Sequence, residues 1–134
     1  MRDATETPAD AGDGRRALGA SGEALAARYL ERRGYRVIDR NVRCGRGEID
    51  LVAVDRATIV FVEVKSNRSP RFGAPEEMVT AAKQRQLTRL ALQYLQHRRW
   101  LGRPARFDVV AIAWDPGGAA AIRHFRDAFP AAGW

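Results

Sequence analysis

The chain has 134 residues, 46% of them hydrophobic and 29% charged, with a formal charge of +7. That length suits one domain around one core, no apolar run approaches the ~20 residues of a membrane helix, and the polar opening "MRDATETPADAGDGRR" lacks the apolar stretch of a secretory signal. The single cysteine, Cys44, excludes a disulfide framework, so a reducing cytoplasmic setting away from membranes is expected.

Residues 1–16 lack periodicity and are expected to form a disordered tail, with one domain over 17–134. The tail masks part of the charge. Residues 1–14 hold Asp3, Glu6, Asp10 and Asp13 against Arg2, so the rest carries 22 basic and 12 acidic residues, +10. A basic globule points to a polyanionic partner, nucleic acid and DNA first. Of the 23 cations only Lys65 and Lys83 are lysines. A lysine kept in so arginine-rich a chain hints at a position needing a compact ammonium group.

A helix is expected over 18–33, with Ala26, Ala27 and Leu30 on one side and Arg28, Glu31 and Arg32 on the other. Gly34 suits its C-terminal end. "YRVIDRNV" reads as a strand, "RCGRG" as a basic turn, and "GEIDLVAVDRATIVFVEVK" as a β-hairpin. "SNRSPRFGAP" reads as a loop. A long helix follows over 76–99, with Leu87, Leu90, Ala91, Tyr94 and Leu95 as its apolar stripe. "RFDVVAIAW" and "AAIRHF" are strands around a "DPGG" turn. The order is α-β-β-β-α-β-β, an α/β fold with a mixed β-sheet flanked by helices.

The hairpin carries the chemistry. A turn centred on Arg56–Ala57 pairs positions whose numbers sum to 113, which sets Asp50 opposite Glu63. Like charges directly opposed across strands are destabilising. Three compensations are open: a raised pKa on one carboxyl, partial neutralisation by Lys65, or a divalent cation between the carboxylates. The same register sets Glu48 opposite Lys65, as a salt bridge. Glu23 lies on the apolar side of the first helix, where an acid is costly unless paired; an exposed acid at a frayed first turn is the alternative. Lys83 falls within the apolar stripe of the long helix and Gln86 flanks it, as site residues or as a snorkelling lysine and a surface amide.

Asp50 on one strand with Glu63-Val64-Lys65 on the next resembles the PD-(D/E)XK nuclease superfamily. The longer pattern, "GASGEALAARYLERRGY" with "GRGEIDLVAV" and "FVEVKSN", resembles the uncharacterised bacterial YraN-like family, which is similar to archaeal Holliday-junction resolvases. The resemblance runs from about Leu18 to Val110. It implies a restriction-endonuclease-like fold and a metal-dependent phosphodiesterase. Asp50, Glu63 and the Val64 carbonyl would hold Mg²⁺ or Mn²⁺. Lys65 would orient or help deprotonate the attacking water, and Glu23 would be an auxiliary carboxylate. Arg40, Arg43, Arg46, Arg68 and Arg71, with Lys83 and Gln86, are candidate nucleic-acid contacts. Ser66-Asn67 stand where a basic residue is expected after the lysine, and Arg68 is the nearest substitute. The implied function is a DNA endonuclease, with branched DNA and a homodimer suggested by the resolvases. The rival readings are a nucleic-acid-binding module of the same fold with little or no hydrolysis, and an interaction protein with a vestigial site.

Overall fold

The structure, a computed structural model, describes residues 4–6, 15–67 and 75–131. The other positions of the expected tail, and the 68–74 segment with Arg68 and Arg71, lie outside the described residues. In chain order the elements are β1 (Ala4–Glu6), α1 (Arg15–Arg32), β2 (Arg36–Cys44), β3 (Gly47–Asp55), β4 (Thr58–Asn67), α2 (Pro75–Met78), α3 (Ala81–Arg98), β5 (Ala105–Trp114) and β6 (Ala120–Phe129). Apart from the short β1 and α2, this is the expected α-β-β-β-α-β-β order.

The strands form one mixed sheet in the order β1-β6-β5-β4-β3-β2. Every neighbouring pair is antiparallel except β4 and β5. A parallel pair cannot be joined by a tight turn, and α2 and α3 supply the crossover. On β4, Val60 and Val62 pack toward α1 with Leu25, Ala26 and Leu30. Ile59 and Phe61 pack toward α3 with Leu87, Ala91 and Leu95. Helices thus cover both faces, which explains why the strand reads as nearly continuous apolar sequence. The arrangement is restriction-endonuclease-like.

Gly34 ends α1 at φ 90°, donating to the Glu31 carbonyl while Tyr35 N–H reaches back to Leu30. That paired closure needs a left-handed residue, which glycine adopts without strain. The long helix expected over 76–99 is instead two helices. Val79 is fully buried between them, and the Thr80 hydroxyl accepts the Lys83 N–H at 3.2 Å as the N-cap of α3. A capping threonine satisfies an amide that has no carbonyl partner one turn earlier. At the other end of α3, Arg98 binds Asp39 of β2 at 3.0 Å.

Candidate active site

The β3–β4 ladder runs from Asp55 opposite Thr58 to Leu51 opposite Val62, every pair summing to 113 as expected. Beyond Leu51 the two strands part, and β4 continues to Asn67 against β5 alone. β3 also turns about its own axis there. Leu51 packs toward α1, yet Ile49, two residues away, packs toward α3. A regular strand would keep both on one face. Asp50 stands at this turn, and its Oδ2 accepts the Val64 N–H at 2.8 Å. The carboxylate thus takes up an amide that the parted ladder no longer pairs. Val64 enters the site through this N–H.

One carboxylate oxygen from each of Glu23, Glu48 and Asp50 lies within 4.8 Å of the others. Glu23 arrives from α1, and a glycine lets it come so close. A Cβ on Gly22 would collide with the Ser66 Oγ on β4, just past Lys65. Glu48 follows Gly47, where a Cβ would lie 2.6 Å from Leu90 and 2.9 Å from the Gln86 amide of α3. Both glycines let a helix close down beside the cluster. Gly22→Val is expected to cost about 2 kcal/mol, because its branches meet Ser66 and Ile112 in a packed layer. It would show as a lower Tm.

Burial first, then the charge of Glu63, raises the Asp50 carboxyl from 3.8 to about 7; Glu23 and Glu48 add to the rise, and the Val64 N–H opposes it. Burial and the nearby Glu48 also raise Glu23, while a hydrogen bond from Asn41 and the charge of Arg40 oppose the rise. Glu63 is buried and lies outside the close trio, with Lys65 Nζ 3.4 Å from its Oε2. The raised pKa and the lysine, two of the compensations open from the sequence, therefore act together.

The raised pKa has a consequence for stability. Below pH ~4 folded and unfolded chains both hold the Asp50 proton, and nothing is lost. Between 3.8 and about 7 the unfolded chain releases a proton that the folded chain keeps, so stability falls as pH rises. In EDTA, urea midpoints of the wild type should drop from pH 5 to pH 8. Asp50→Asn should flatten that part of the difference.

The remaining expected site residues divide. Arg43 is committed to Glu48 at 3.1 Å, so Glu48 pairs with Arg43 rather than with Lys65. Arg40 and Arg46 are exposed. Lys83 is half-buried and forms no ion pair among the described residues. Gln86 lines a cleft with Arg46 and Gly47. Sequence reasoning missed Glu48 as a member of the acidic cluster, and Asn41 as a partner of Glu23. The signal for Glu48 was its place two residues before Asp50, at a strand end where alternation breaks.

A second polar cluster went unread. On β5, beside Val62 of β4, fully buried Asp108 binds His124 at 2.7 Å, Arg106 at 2.9 Å and the Asp127 N–H at 2.9 Å. Arg106 also reaches Asp55 at 3.1 Å and the Tyr35 hydroxyl at 2.8 Å. Burial alone would raise the Asp108 carboxyl, but the hydrogen bonds from His124, Arg106 and Asp127 outweigh it and hold the pKa below its usual value. No helix among the described residues is long and apolar enough to cross a membrane.

Among solved structures, that of SfsA from Pyrococcus furiosus in complex with Ca²⁺ aligns with a TM-score of 0.41 and 14% identity, covering 83% of this chain and 63% of that one. The sequence relatives are much nearer. The UPF0102 protein of Geobacter sulfurreducens is 51% identical over 84% of this chain and 88% of its own. That of Symbiobacterium thermophilum is 50% identical over 87% and 98%, and that of Rhodococcus opacus 50% over 84% and 96%. The family model matches residues 22–112, from the glycine before Glu23 to Ile112 near the end of β5. The chain belongs to the uncharacterised protein family UPF0102.

Proposed function

We propose that this chain is a metal-dependent DNA endonuclease of the PD-(D/E)XK type, working in the cytoplasm. The observation that carries the reading is the close trio Glu23, Glu48 and Asp50 beside the Glu63–Lys65 pair, where β3 and β4 part. Crowded carboxylates and no sulfur or imidazole donor make a hard, anionic set that suits Mg²⁺ or Mn²⁺. Asp50, Glu48 and Glu23 would hold the ion, with Glu63 at its side. A bound cation would supply Lewis-acid charge and a template for the phosphodiester. Lys65, half-exposed and braced by Glu63, places an ammonium where it orients the attacking water or helps move its proton. Arg40 and Arg46 remain available for phosphates flanking the scissile bond.

The likeness of the motif set to resolvases makes branched DNA the first substrate to try, with a homodimer to supply paired nicks. The test is a nicking assay on linear, flapped and four-way DNA with Mg²⁺, Mn²⁺ and EDTA. Cation-dependent nicking is expected. Salt-sensitive DNA binding without nicking on any form would leave the binding-module reading in its place.

A further inference from the structure

We infer that a second site adjoins the acidic cluster: a cleft that takes one unpaired nucleotide of the DNA strand. The inference rests on the DNA reading above and narrows its substrate to DNA with single-stranded character beside the cut.

The cleft has a volume of about 240 Å³ and lies between the β2–β3 turn and α3. Its walls are Cys44, Arg46 and Gly47 on one side and Gln86, Arg89, Leu90 and Gln93 on the other. Gln86, Leu90 and Gln93 are four and three residues apart, so they share one face of α3. Leu90 therefore forms an apolar floor between two amides. The Gln93 Oε1 accepts from the Cys44 thiol, which leaves the Gln93 amide N–H groups to donate elsewhere. The Gln86 side chain makes no hydrogen bond, and Arg46 and Arg89 no ion pair, among the described residues. Four polar side chains thus converge on one space with their donors unspent.

That chemistry is specific. Two guanidiniums in a cleft whose lining holds no acid favour an anion. Amides flanking an apolar floor suit a flat base, with its face on Leu90 and its edge on the amides. The size limits the occupant: the cleft falls short of the ~300–1,000 Å³ of sites for drug-sized ligands, so it suits a single base with its phosphate. A base can enter only when unstacked, which costs least where it is already unpaired. The location links the two sites. Gly47 lines the cleft and Glu48, the next residue, belongs to the acidic cluster. Consecutive Cα atoms are only about 3.8 Å apart. A strand seated in the cleft therefore presents a neighbouring phosphate to the carboxylates.

The test is fluorescence anisotropy in EDTA, with a blunt duplex and the same duplex bearing a short single-stranded flap. The wild type should bind the flapped DNA about tenfold tighter, the worth of one good amide–base pairing. Gln93→Ala should abolish that preference while leaving duplex affinity and salt dependence unchanged. Arg46→Gln with Arg89→Gln should flatten the salt slope on flapped DNA by about 0.7, the share of one phosphate on a single strand. A flap preference intact in Gln93→Ala would overturn the inference, as would an equal loss on both DNAs, which marks a plain phosphate contact. The assay needs no cation, so it stands apart from nicking. Failure of the wild type to nick would sink the endonuclease and leave this result untouched.

Discussion

Asp50→Asn should lower nicking at least about a hundredfold while DNA binding in EDTA stays level or tightens. The substitution keeps the shape, and the amide oxygen can still accept the Val64 N–H. It removes one hard anion from the three that lie within 4.8 Å of one another. It also takes away the carboxyl that burial, and then the charge of Glu63, raises to about 7. Cation affinity falls, yet the phosphate of the DNA meets one negative charge fewer. Lys65→Ala should also abolish nicking, but it should weaken binding slightly because a cation is lost. The opposite signs on binding separate both effects from a folding defect, which would lower everything together. Nicking by Asp50→Asn at the wild-type rate would sink the proposed site.

Asp108→Ala should destabilise the chain by about 3 kcal/mol, at the low end for breaking a buried ion pair. Four groups lose an acceptor at once: His124, Arg106, the Tyr35 hydroxyl and the Asp127 N–H. The cost stays at the low end because Arg106 keeps Asp55 and the Tyr35 hydroxyl. A loss of this size lowers Tm by roughly 10 °C in a domain of this length. The pH dependence is opposite to that of Asp50. A lowered carboxyl pKa gives stability that is fully present above the ordinary value of 3.8, and that is lost as pH falls through the folded value. The wild type should therefore lose its advantage over Asp108→Asn only below about pH 4. An equal gap between the two at pH 7 and pH 3 would refute this account. Nicking by Asp108→Asn at a temperature where it stays folded should be unchanged, since none of the hydrogen-bond partners of Asp108 belongs to the acidic cluster.

These outcomes depend on features that the sequence revealed unequally. The 113 register was legible because alternation of Val, Ile and Phe on either side of Arg56–Ala57 leaves one way to bury both strands. The same alternation misled past Leu51, where it set Asp50 directly opposite Glu63 although the ladder has already ended. It set Glu48 against Lys65, but the ladder ends at Leu51 and the strands part, so Glu48 joins Glu23 and Asp50 instead. Parting strands leave no mark in a period-two pattern. The break at Val79–Thr80 was legible in principle, since threonine before a helical run is a capping signal, but the apolar stripe read straight through it. The Asp108 cluster was hidden for a different reason. Its partners Tyr35, Arg106 and His124 come from three strands or their flanks, and no local spacing in "RFDVVAIAW" announces them.

The outer strand of the sheet bears on how copies of this chain could meet. Among the described residues, β2 has no neighbour on its free side. An open strand edge ordinarily invites another chain to add on, the first step toward swapping or fibrils. This one is poorly suited to that. Its pairing shifts between Val37 and Asp39, Asn41 takes a left-handed φ of 51°, and Arg36, Arg40 and Arg43 stand exposed along it. A kinked, cationic edge repels its own image. Two copies gathering on one DNA molecule would stay separable along this side, and a pairing of subunits would have to form through another surface.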